Sequence, residues 1–254
     1  MRQVLAAGFI TFAVIDGAAA ADRTRPDVPL TIDARGGIRV AVHVNGGGPY
    51  TFILDTGSSR SAVSDDLARE LAAPVVAKSE VVTMAGSAMR LVVRLSPVVV
   101  APARVEALLA PMLPAAQLAQ LGRGVRGLLG QDFLSGFNYT LDYRRSRLTW
   151  DEPVTCNAPN AVRMAPAEGR FVLVADSDGG SPLRLVPDSG AEVAVLFRGR
   201  ARAGISAFRV GRVTVRDLPV TTSDRIDPDA DGLLPLHGFR AVSFAAGGAC
   251  LVVR

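Results

Sequence analysis

An internal repeat is the feature of this chain that most constrains its fold. Residues 38–64 and residues 171–197 align without a gap. They share landmarks at a constant offset of 133 positions, namely Gly46 and Gly179, Pro49 and Pro182, and Asp55 and Asp188. One offset that superposes a turn, a strand and an acidic residue indicates that a single structural unit occurs twice.

Each copy of the repeat predicts a β-hairpin that ends at an acidic residue. In the first copy, apolar side chains alternate before a glycine-rich turn, at Ile38, Val40, Val42 and Val44. A second strand then leads to Asp55 in the first copy and to Asp188 in the second. Because a hydroxyl residue and a glycine follow each acid, the carboxylate lies on a tight and rigidly held turn. This placement favours a chemical role over a packing role.

A second shared phrase follows each acid. It reads Gly-Leu-Leu-Gly at residues 127–130 and Gly-Leu-Leu-Pro at residues 232–235. The phrase begins 72 positions after Asp55 but 44 positions after Asp188, so the second copy is shorter. The additional length of the first copy includes residues 81–94, which predict a hairpin that turns around Ala85, Gly86 and Ser87.

The rest of the chain predicts an all-β fold with little helix. Ser64, followed by two acids, has the pattern of a helix N-cap and predicts a short helix through Leu71. Residues 106–121 predict further helical pieces, which Pro111 and Pro114 keep short. We expect a first lobe at residues 22–155 and a second, shortened lobe at residues 156–254, divided within a polar, proline-bearing stretch.

The N-terminus predicts export. A basic residue, an apolar run of about a dozen residues and a small-residue stretch give residues 1–21 the layout of a secretory signal peptide. The apolar run is too short to span a bilayer, so we expect no stable membrane insertion and a periplasmic or secreted protein. Cys156 and Cys250 could form a disulfide in such a compartment, and two buried free thiols are the alternative.

Composition argues against several other functions. The formal net charge of +4 is scattered, with Lys78 the only lysine, so we expect no nucleic-acid partner. The two histidines, His43 and His237, do not lie at ligand spacing from a cysteine, so no metal site is predicted. No Gly-x-Ser-x-Gly elbow of a serine hydrolase occurs.

One acidic segment could be mistaken for a calcium loop. Asp227, Asp229 and Asp231 match the opening of such a loop, but the twelfth position, which should be a bidentate acid, is Gly238. We therefore interpret this segment as an acidic surface loop. Asp132 is a further acid close to a shared phrase, and we expect it to hydrogen-bond a helix start.

The motifs Asp-Thr-Gly-Ser at residues 55–58 and Gly-Leu-Leu-Gly-Gln-Asp-Phe-Leu at residues 127–134 resemble those of retropepsin-like and pepsin-like aspartic peptidases. The resemblance implies two related acid-protease lobes with a cleft between them, and Asp55 facing Asp188 as the catalytic pair. It also implies a set of residues that brace the two turns: Thr56, Gly57, Ser58, Ser189 and Gly190.

The implied activity is that of an aspartic endopeptidase without a metal or an organic cofactor. Two carboxylates about 3 Å apart cannot both ionise, so one acts as general base for a water and the other as acid toward a carbonyl. The substrate would be a peptide or protein, and the enzyme a monomer. Residues 84–87, which are Met84, Ala85, Gly86 and Ser87, would form the tip of a flap over the substrate. Pepsin-like members of the family have a tyrosine in the flap. This flap has none, and Met84 or Met89 would fill the space of that tyrosine.

The second lobe departs from the family pattern at Pro187, Ala191 and Pro235. Because Ala191 stands where the first lobe has Ser58, we expect less support for a charged carboxylate and an optimum nearer neutral pH than that of pepsin. Two alternatives remain open at the level of sequence. One is a catalytically inactive peptide-binding protein of the same fold, and the other is a homodimer that uses the first lobe only.

Overall fold

The computed structural model describes residues 27–83, 86–200 and 204–254. The proposed signal peptide at residues 1–21 lies outside the described residues, as do Met84 and Ala85. Strands dominate the described chain and its few helices are short, which confirms the all-β prediction. None of the helices in this part of the chain is long and apolar enough to cross a membrane.

The described residues between 27 and 150 form thirteen strands and three helices. In chain order they are β1 (Val28–Pro29), β2 (Thr31–Ile32), β3 (Ile38–Val44), β4 (Gly47–Leu54), β5 (Ala62–Ser64), α1 (Asp65–Glu70), β6 (Val75–Thr83), β7 (Gly86–Leu95), β8 (Val98–Val100), β9 (Ala103–Val105), β10 (Leu108–Leu113), α2 (Ala115–Ala119), β11 (Val125–Leu129), α3 (Gln131–Leu134), β12 (Tyr139–Asp142) and β13 (Arg147–Trp150).

After residue 150, the residues that the structure describes form eleven strands and one turn of 3₁₀ helix. In chain order they are β14 (Ala161–Arg163), β15 (Ala165–Ala167), β16 (Arg170–Ser177), β17 (Leu183–Asp188), β18 (Ala194–Leu196), β19 (Phe208–Val210), β20 (Val213–Val215), β21 (Val220–Thr222), β22 (Gly232–Pro235), β23 (Ala241–Phe244), the 3₁₀ turn (Ala246–Gly248) and β24 (Cys250–Val253).

These strands form three sheets. A ten-stranded sheet, in the order β6-β7-β10-β5-β11-β4-β3-β8-β9 with β2 beside β3, lies in the first lobe. An eight-stranded sheet, in the order β20-β19-β16-β17-β22-β18-β21 with β15 beside β16, lies in the second lobe. A six-stranded sheet, β1-β13-β12-β23-β24-β14, takes strands from both lobes. Its central contact is the antiparallel pair β12–β23, where the Thr140 and Ser243 hydroxyls are 2.8 Å apart.

The two lobe sheets repeat the same arrangement around each acid. In the first lobe, β4 pairs in parallel with β11, which pairs antiparallel with β5. In the second lobe, β17 pairs in parallel with β22, which pairs antiparallel with β18. The strand that contains each shared Gly-Leu-Leu phrase therefore lies beside the strand that leads to the acid. In the first copy, β3 buries alternate side chains, as its period of two predicts. In the second copy, β16 buries the consecutive side chains Val172 and Leu173.

Two short-range predictions have different outcomes. The helix after Ser64 is confirmed as α1, and the Ser64 hydroxyl accepts a hydrogen bond from the Leu67 N–H. The prediction of helical pieces throughout residues 106–121 is wrong for the first half, because Leu108 to Leu113 form β10. That segment bridges β7 and β5, so partners distant in sequence satisfy its backbone where Pro111 would have broken a helix.

The cysteines form a disulfide between Cys156 and Cys250, which decides an alternative that the sequence left open. The bond joins the segment before β14 to the first residue of β24, and these two strands are neighbours in the six-stranded sheet. It closes a loop with a sequence separation of 94 residues. The link therefore ties the beginning of the second lobe to its end.

Replacing both cysteines by alanine should lower the free energy of unfolding by about 4 kcal/mol, because the open chain gains loop-closure entropy when it unfolds. Alanine is preferred to serine since Cys250 is fully buried. Urea unfolding with and without a reducing agent measures the effect. The reducing agent should destabilise the wild type and leave the double variant unchanged, and equal sensitivity of both proteins would contradict the prediction.

Candidate active site

The two acidic turns meet where the lobes face each other. Asp55 directly follows β4 and Asp188 ends β17, and their carboxyl groups lie close enough together for the charge of Asp188 to raise the pKa of Asp55. Each turn glycine lies against the opposite acid. A Cβ atom on Gly57 would overlap the Asp188 carboxyl, and one on Gly190 would lie 3.2 Å from the Asp55 carboxyl carbon. Only residues without a side chain allow this close approach of the two turns.

Reciprocal hydrogen bonds between the lobes lock the two turns together. The Thr56 hydroxyl donates to the Pro187 carbonyl at 2.8 Å and accepts from the Ser189 N–H at 2.9 Å. The Ser189 hydroxyl donates to the Leu54 carbonyl at 2.7 Å and accepts from the Thr56 N–H at 3.0 Å. All four bonds are buried. Each turn therefore supplies hydrogen-bond partners for polar groups of the other turn, which would otherwise be buried without partners at a cost in free energy. Pro187 fits here because the contact uses its carbonyl.

Backbone N–H groups support each carboxylate from within its own turn. Asp55 accepts from the Gly57 N–H at 3.0 Å. Asp188 accepts from the Gly190 and Ala191 N–H groups at 2.7 and 3.1 Å. The Ser58 hydroxyl instead donates to the Arg60 carbonyl at 2.8 Å. Ala191 lacks the hydroxyl that Ser58 has at the matching position of the first lobe, but the Ser58 hydroxyl does not hydrogen-bond to Asp55. The absence of this hydroxyl is therefore no reason to expect a pH optimum nearer neutral.

Burial and mutual repulsion govern the ionisation of the pair. Burial raises the pKa of Asp55 well above its ordinary value, and the charge of Asp188 raises it further. Burial also raises the pKa of Asp188. The backbone N–H groups of Gly190 and Ala191, the neighbouring Asp55 carboxyl group and the Arg170 guanidinium oppose this increase. The pair therefore shares one proton, and the loss of that proton requires a raised pH, as in other coupled carboxyl groups.

Gln131 and Asp132 support the first turn from behind. The Gln131 side-chain amide donates to the Thr56 carbonyl at 2.8 Å, and its backbone N–H donates to the Ser58 carbonyl at 2.9 Å. Asp132 accepts from the Ser61 N–H and hydroxyl at 2.8 and 2.6 Å. Its role is thus structural as expected: the Phe133 N–H at the helix start acts on its carboxyl group, and Ser61 is a further partner. Gln131 and Asp132 directly follow the shared phrase of the first lobe, and their partners in the acidic turn could not be identified from spacing.

The segment around Asp227 lies at the surface as predicted, with Ile226 73% exposed, but the Asp227 side chain points inward. It is 2% exposed, and it accepts at 2.8 Å from Arg170, which is 7% exposed. Arg225 lies 3.2 Å from the same oxygen. The prediction is wrong for this side chain because the two guanidinium groups compensate its buried charge. Within the described ranges, no group of three or more metal-ligating side chains occurs.

The expected hairpin at residues 81–94 is present as the ends of β6 and β7, with Thr83 opposite Gly86. The half-buried Val81 packs against an apolar cluster that contains Ile53, Leu113 and Leu118. Ile53 lies two residues before Asp55 on the same face of β4. The hairpin thus covers the sheet face that leads to the acid. Gly86 and Ser87 lie at its described end, and Met84 and Ala85 lie outside the described residues.

Comparisons with known proteins agree with this architecture. Residues 40–133, which include Asp55 and the first shared phrase, match a family model described as aspartyl protease. The crystal structure of an aspartic proteinase from Irpex lacteus is similar to this chain with a TM-score of 0.61 and 12% sequence identity. The similarity covers 90% of this chain and 96% of that one. No curated protein sequence matches the chain. The resemblance noted in the sequence and the expected fold are therefore confirmed.

Thr56→Val should destabilise the protein by about 3 kcal/mol, because the change leaves the Pro187 carbonyl and the Ser189 N–H buried without partners. Thr56→Ser keeps the hydroxyl and loses only a methyl group, so its cost should be about 1 kcal/mol. Denaturant unfolding of both variants measures the difference. Equal destabilisation of the two would mean that the methyl group, not the hydroxyl, holds the turns together.

Asp55→Asn should make the protein about 1 kcal/mol more stable at neutral pH. The pKa of Asp55 is raised in the folded state, so its contribution to stability is full below the ordinary value of 3.8 and is lost as the pH rises through the folded value. The asparagine in the variant does not ionise, so the variant does not lose stability as the pH rises. The difference in stability between the variant and the wild type should vanish near pH 3. Thermal unfolding against pH is the measurement, with the exposed Asp224→Asn as the control that should follow the wild type.

Proposed function

Because the chain has the fold of the aspartic peptidases and its first lobe matches the aspartyl protease family, we propose that it is an aspartic endopeptidase. The observation that carries the proposal is the close approach of the Asp55 and Asp188 turns, which Thr56 and Ser189 lock together and in which each turn glycine lies against the opposite acid. Holding the half-buried carboxyl group of Asp55 against the buried one of Asp188 costs folding free energy. Retaining them is consistent with a catalytic function.

The geometry supports hydrolysis by an activated water. One carboxylate takes a proton from a water held between the two acids, and the resulting hydroxide attacks the peptide carbonyl carbon. The protonated partner donates to the carbonyl oxygen, which gives a tetrahedral diol. When the C–N bond breaks, the acid that took the water proton gives it to the leaving nitrogen, and the other carboxylate takes a proton from a diol hydroxyl as the new carboxyl group forms. The pair thus again holds one proton. The bound N–H groups keep both carboxylates oriented throughout.

Two features beside the acids support binding of an extended peptide. The hairpin of β6 and β7 approaches from the first lobe, in the position of a flap that excludes water over the substrate. A cavity of about 610 Å³ adjoins the Asp55 turn, between Ser59, Gln131 and Leu108 of the first lobe and Gly169 of the second. We assign this cavity to a substrate side chain next to the scissile bond.

The same contacts favour catalysis within one chain over the two alternatives. Asp55 already has Asp188 as its partner, so a second copy of the first lobe is not required to complete the pair. The second acid keeps its glycine, its N–H bonds and its hydroxyl neighbour, which a purely peptide-binding protein would not need. We therefore propose a monomeric enzyme with a peptide or protein substrate.

We also propose that the enzyme acts outside the cytoplasm. The disulfide between Cys156 and Cys250 supports an oxidising compartment, because such bonds persist in secreted and periplasmic proteins. Cleavage after a signal peptide at residues 1–21 would account for delivery to that compartment. N-terminal sequencing of the protein recovered from an expressing culture tests this, and an intact N-terminus in the cytoplasm would contradict it.

Asp188→Asn and Asp55→Asn should each lower kcat for a peptide substrate by at least about a thousandfold, since each removes one half of the acid–base pair. Cleavage of a peptide library, with and without pepstatin, measures the effect. The matched control is Asp224→Asn, whose side chain is exposed, and it should keep wild-type activity. Activity that survives Asp188→Asn alone would support the homodimer, and inactivity of the wild type would support the peptide-binding protein.

A further inference from the structure

The two lobes differ at the position that lies level with each acid. In the first lobe, the antiparallel register of β3 and β4 sets Arg39 opposite Ile53, so Gly37 lies level with Asp55. In the second lobe, the register of β16 and β17 sets Leu173 opposite Leu185, so Arg170 lies level with Asp188. Gly37 and Arg170 are also related by the repeat offset of 133. An otherwise symmetric site thus has a cation on one side only.

Arg170 lies on the same face of the sheet as Asp188. Side chains alternate along a strand, so Arg170 shares a face with Val172, and Val186 shares a face with Asp188. Val172 and Val186 belong to one buried apolar cluster, which shows that these two faces are the same. The guanidinium is therefore a cross-strand neighbour of the acid in a region with little water, where a charge acts over a longer distance than in solvent.

A fixed set of groups holds Arg170 in place. Its guanidinium donates to Asp227 at 2.8 Å, and the exposed Glu168 lies 3.9 Å away. Asp227 is in turn paired with Arg225 at 3.2 Å and accepts from two backbone N–H groups, those of Asp229 and Ala230. The Arg170–Asp227–Arg225 cluster thus contains two cations and one anion, and the buried cation Arg170 is the member whose charge acts on Asp188.

Among the described residues, two charged groups act on Asp188, namely Asp55 from the first-lobe turn and Arg170 from β16. The residue after β12, Tyr143, is an uncharged phenol whose pKa is raised well above its usual value by burial and by the charge of Asp188. The remaining neighbour, β22, consists of Gly232–Pro235 and has no charged side chain. The counterpart of Arg170 in the first lobe, Gly37, lies against an Asp33–Arg39 ion pair, whose charges offset each other.

We propose that Arg170 is a positioning residue that makes Asp188 the ionised member of the pair and Asp55 the protonated one. Asp188 then removes the proton from the water, and Asp55 donates to the carbonyl oxygen of the substrate. The assignment rests on the proposed peptidase function. Asp188, on the shorter lobe, is in this account the general base.

The test uses three variants with opposite expectations. Arg170→Gln removes the cation, so the acid limb of the kcat/KM profile should move to higher pH and activity on that limb should fall about tenfold. Asp227→Asn keeps the cation and removes the anion that offsets it, so the same limb should move to lower pH. Arg170→Lys keeps the charge and should retain most of the wild-type profile. KM at the optimum should change little in all three.

A purely structural role of Arg170 would give a different pattern. Arg170→Gln and Asp227→Asn would then both lower activity at every pH without moving the limb, or would move it in the same direction, and either result overturns the assignment. If Arg170→Gln does not fold because Asp227 is left unpaired, the double variant Arg170→Gln/Asp227→Asn replaces it, and its limb should lie above that of Asp227→Asn.

Carboxyl titration separates failure of this inference from failure of the proposed function. The ¹³C resonances of labelled aspartate carboxyl groups report each ionisation without turnover, and Asp188→Asn identifies the signal of Asp188. In the wild type, Asp188 should ionise at lower pH than Asp55, and Arg170→Gln should reduce or reverse that order. The reverse order in the wild type overturns the inference even if peptides are cleaved. The expected order in a protein that cleaves nothing contradicts only the peptidase proposal.

Discussion

The reciprocal hydrogen bonds between Thr56 and Ser189 are the interaction on which the rest of the structure depends. They place two acidic turns in contact although the carboxyl groups repel each other when both ionise. Because every donor and acceptor in this set is buried, a separation of the turns would leave several polar groups without partners at once. The lobes are thus held at the one relative position that brings Asp55 and Asp188 together.

The six-stranded sheet provides the base for that contact. Antiparallel pairing of β12 with β23 joins the ends of the two lobes, and Tyr139 stacks on Phe244 across this pair with ring centroids 4.7 Å apart. Trp150 packs against Tyr139 from the neighbouring strand. The disulfide secures the second lobe to the same sheet. The acids therefore lie above a rigid apolar layer, which limits the reorganisation required during a reaction.

Duplication gives the site its symmetry, and divergence gives the two acids different surroundings. The first lobe has the long hairpin of β6 and β7 and the support of Gln131 behind its turn. The second lobe lacks that length and instead has a buried ion-pair cluster around Asp227. A buried ion pair is a weak source of stability because desolvation offsets its attraction. Its position beside Asp188 is more readily explained by an effect on that carboxyl group.

The sequence by itself determined the repeat, the all-β class, the paired acids and the helix after Ser64, because strand alternation, glycine turns and helix caps are local physical signals. Only the tertiary structure decided which polar groups meet. Leu108 to Leu113 became a strand because two neighbouring strands satisfy its backbone, and Asp227 turned inward because Arg170 and Arg225 surround it. Cys156 forms a disulfide with Cys250, 94 residues away, because β14 pairs with β24. Such partners lie far apart in the chain and leave no periodic pattern, so their contact depends on how the sheets pack.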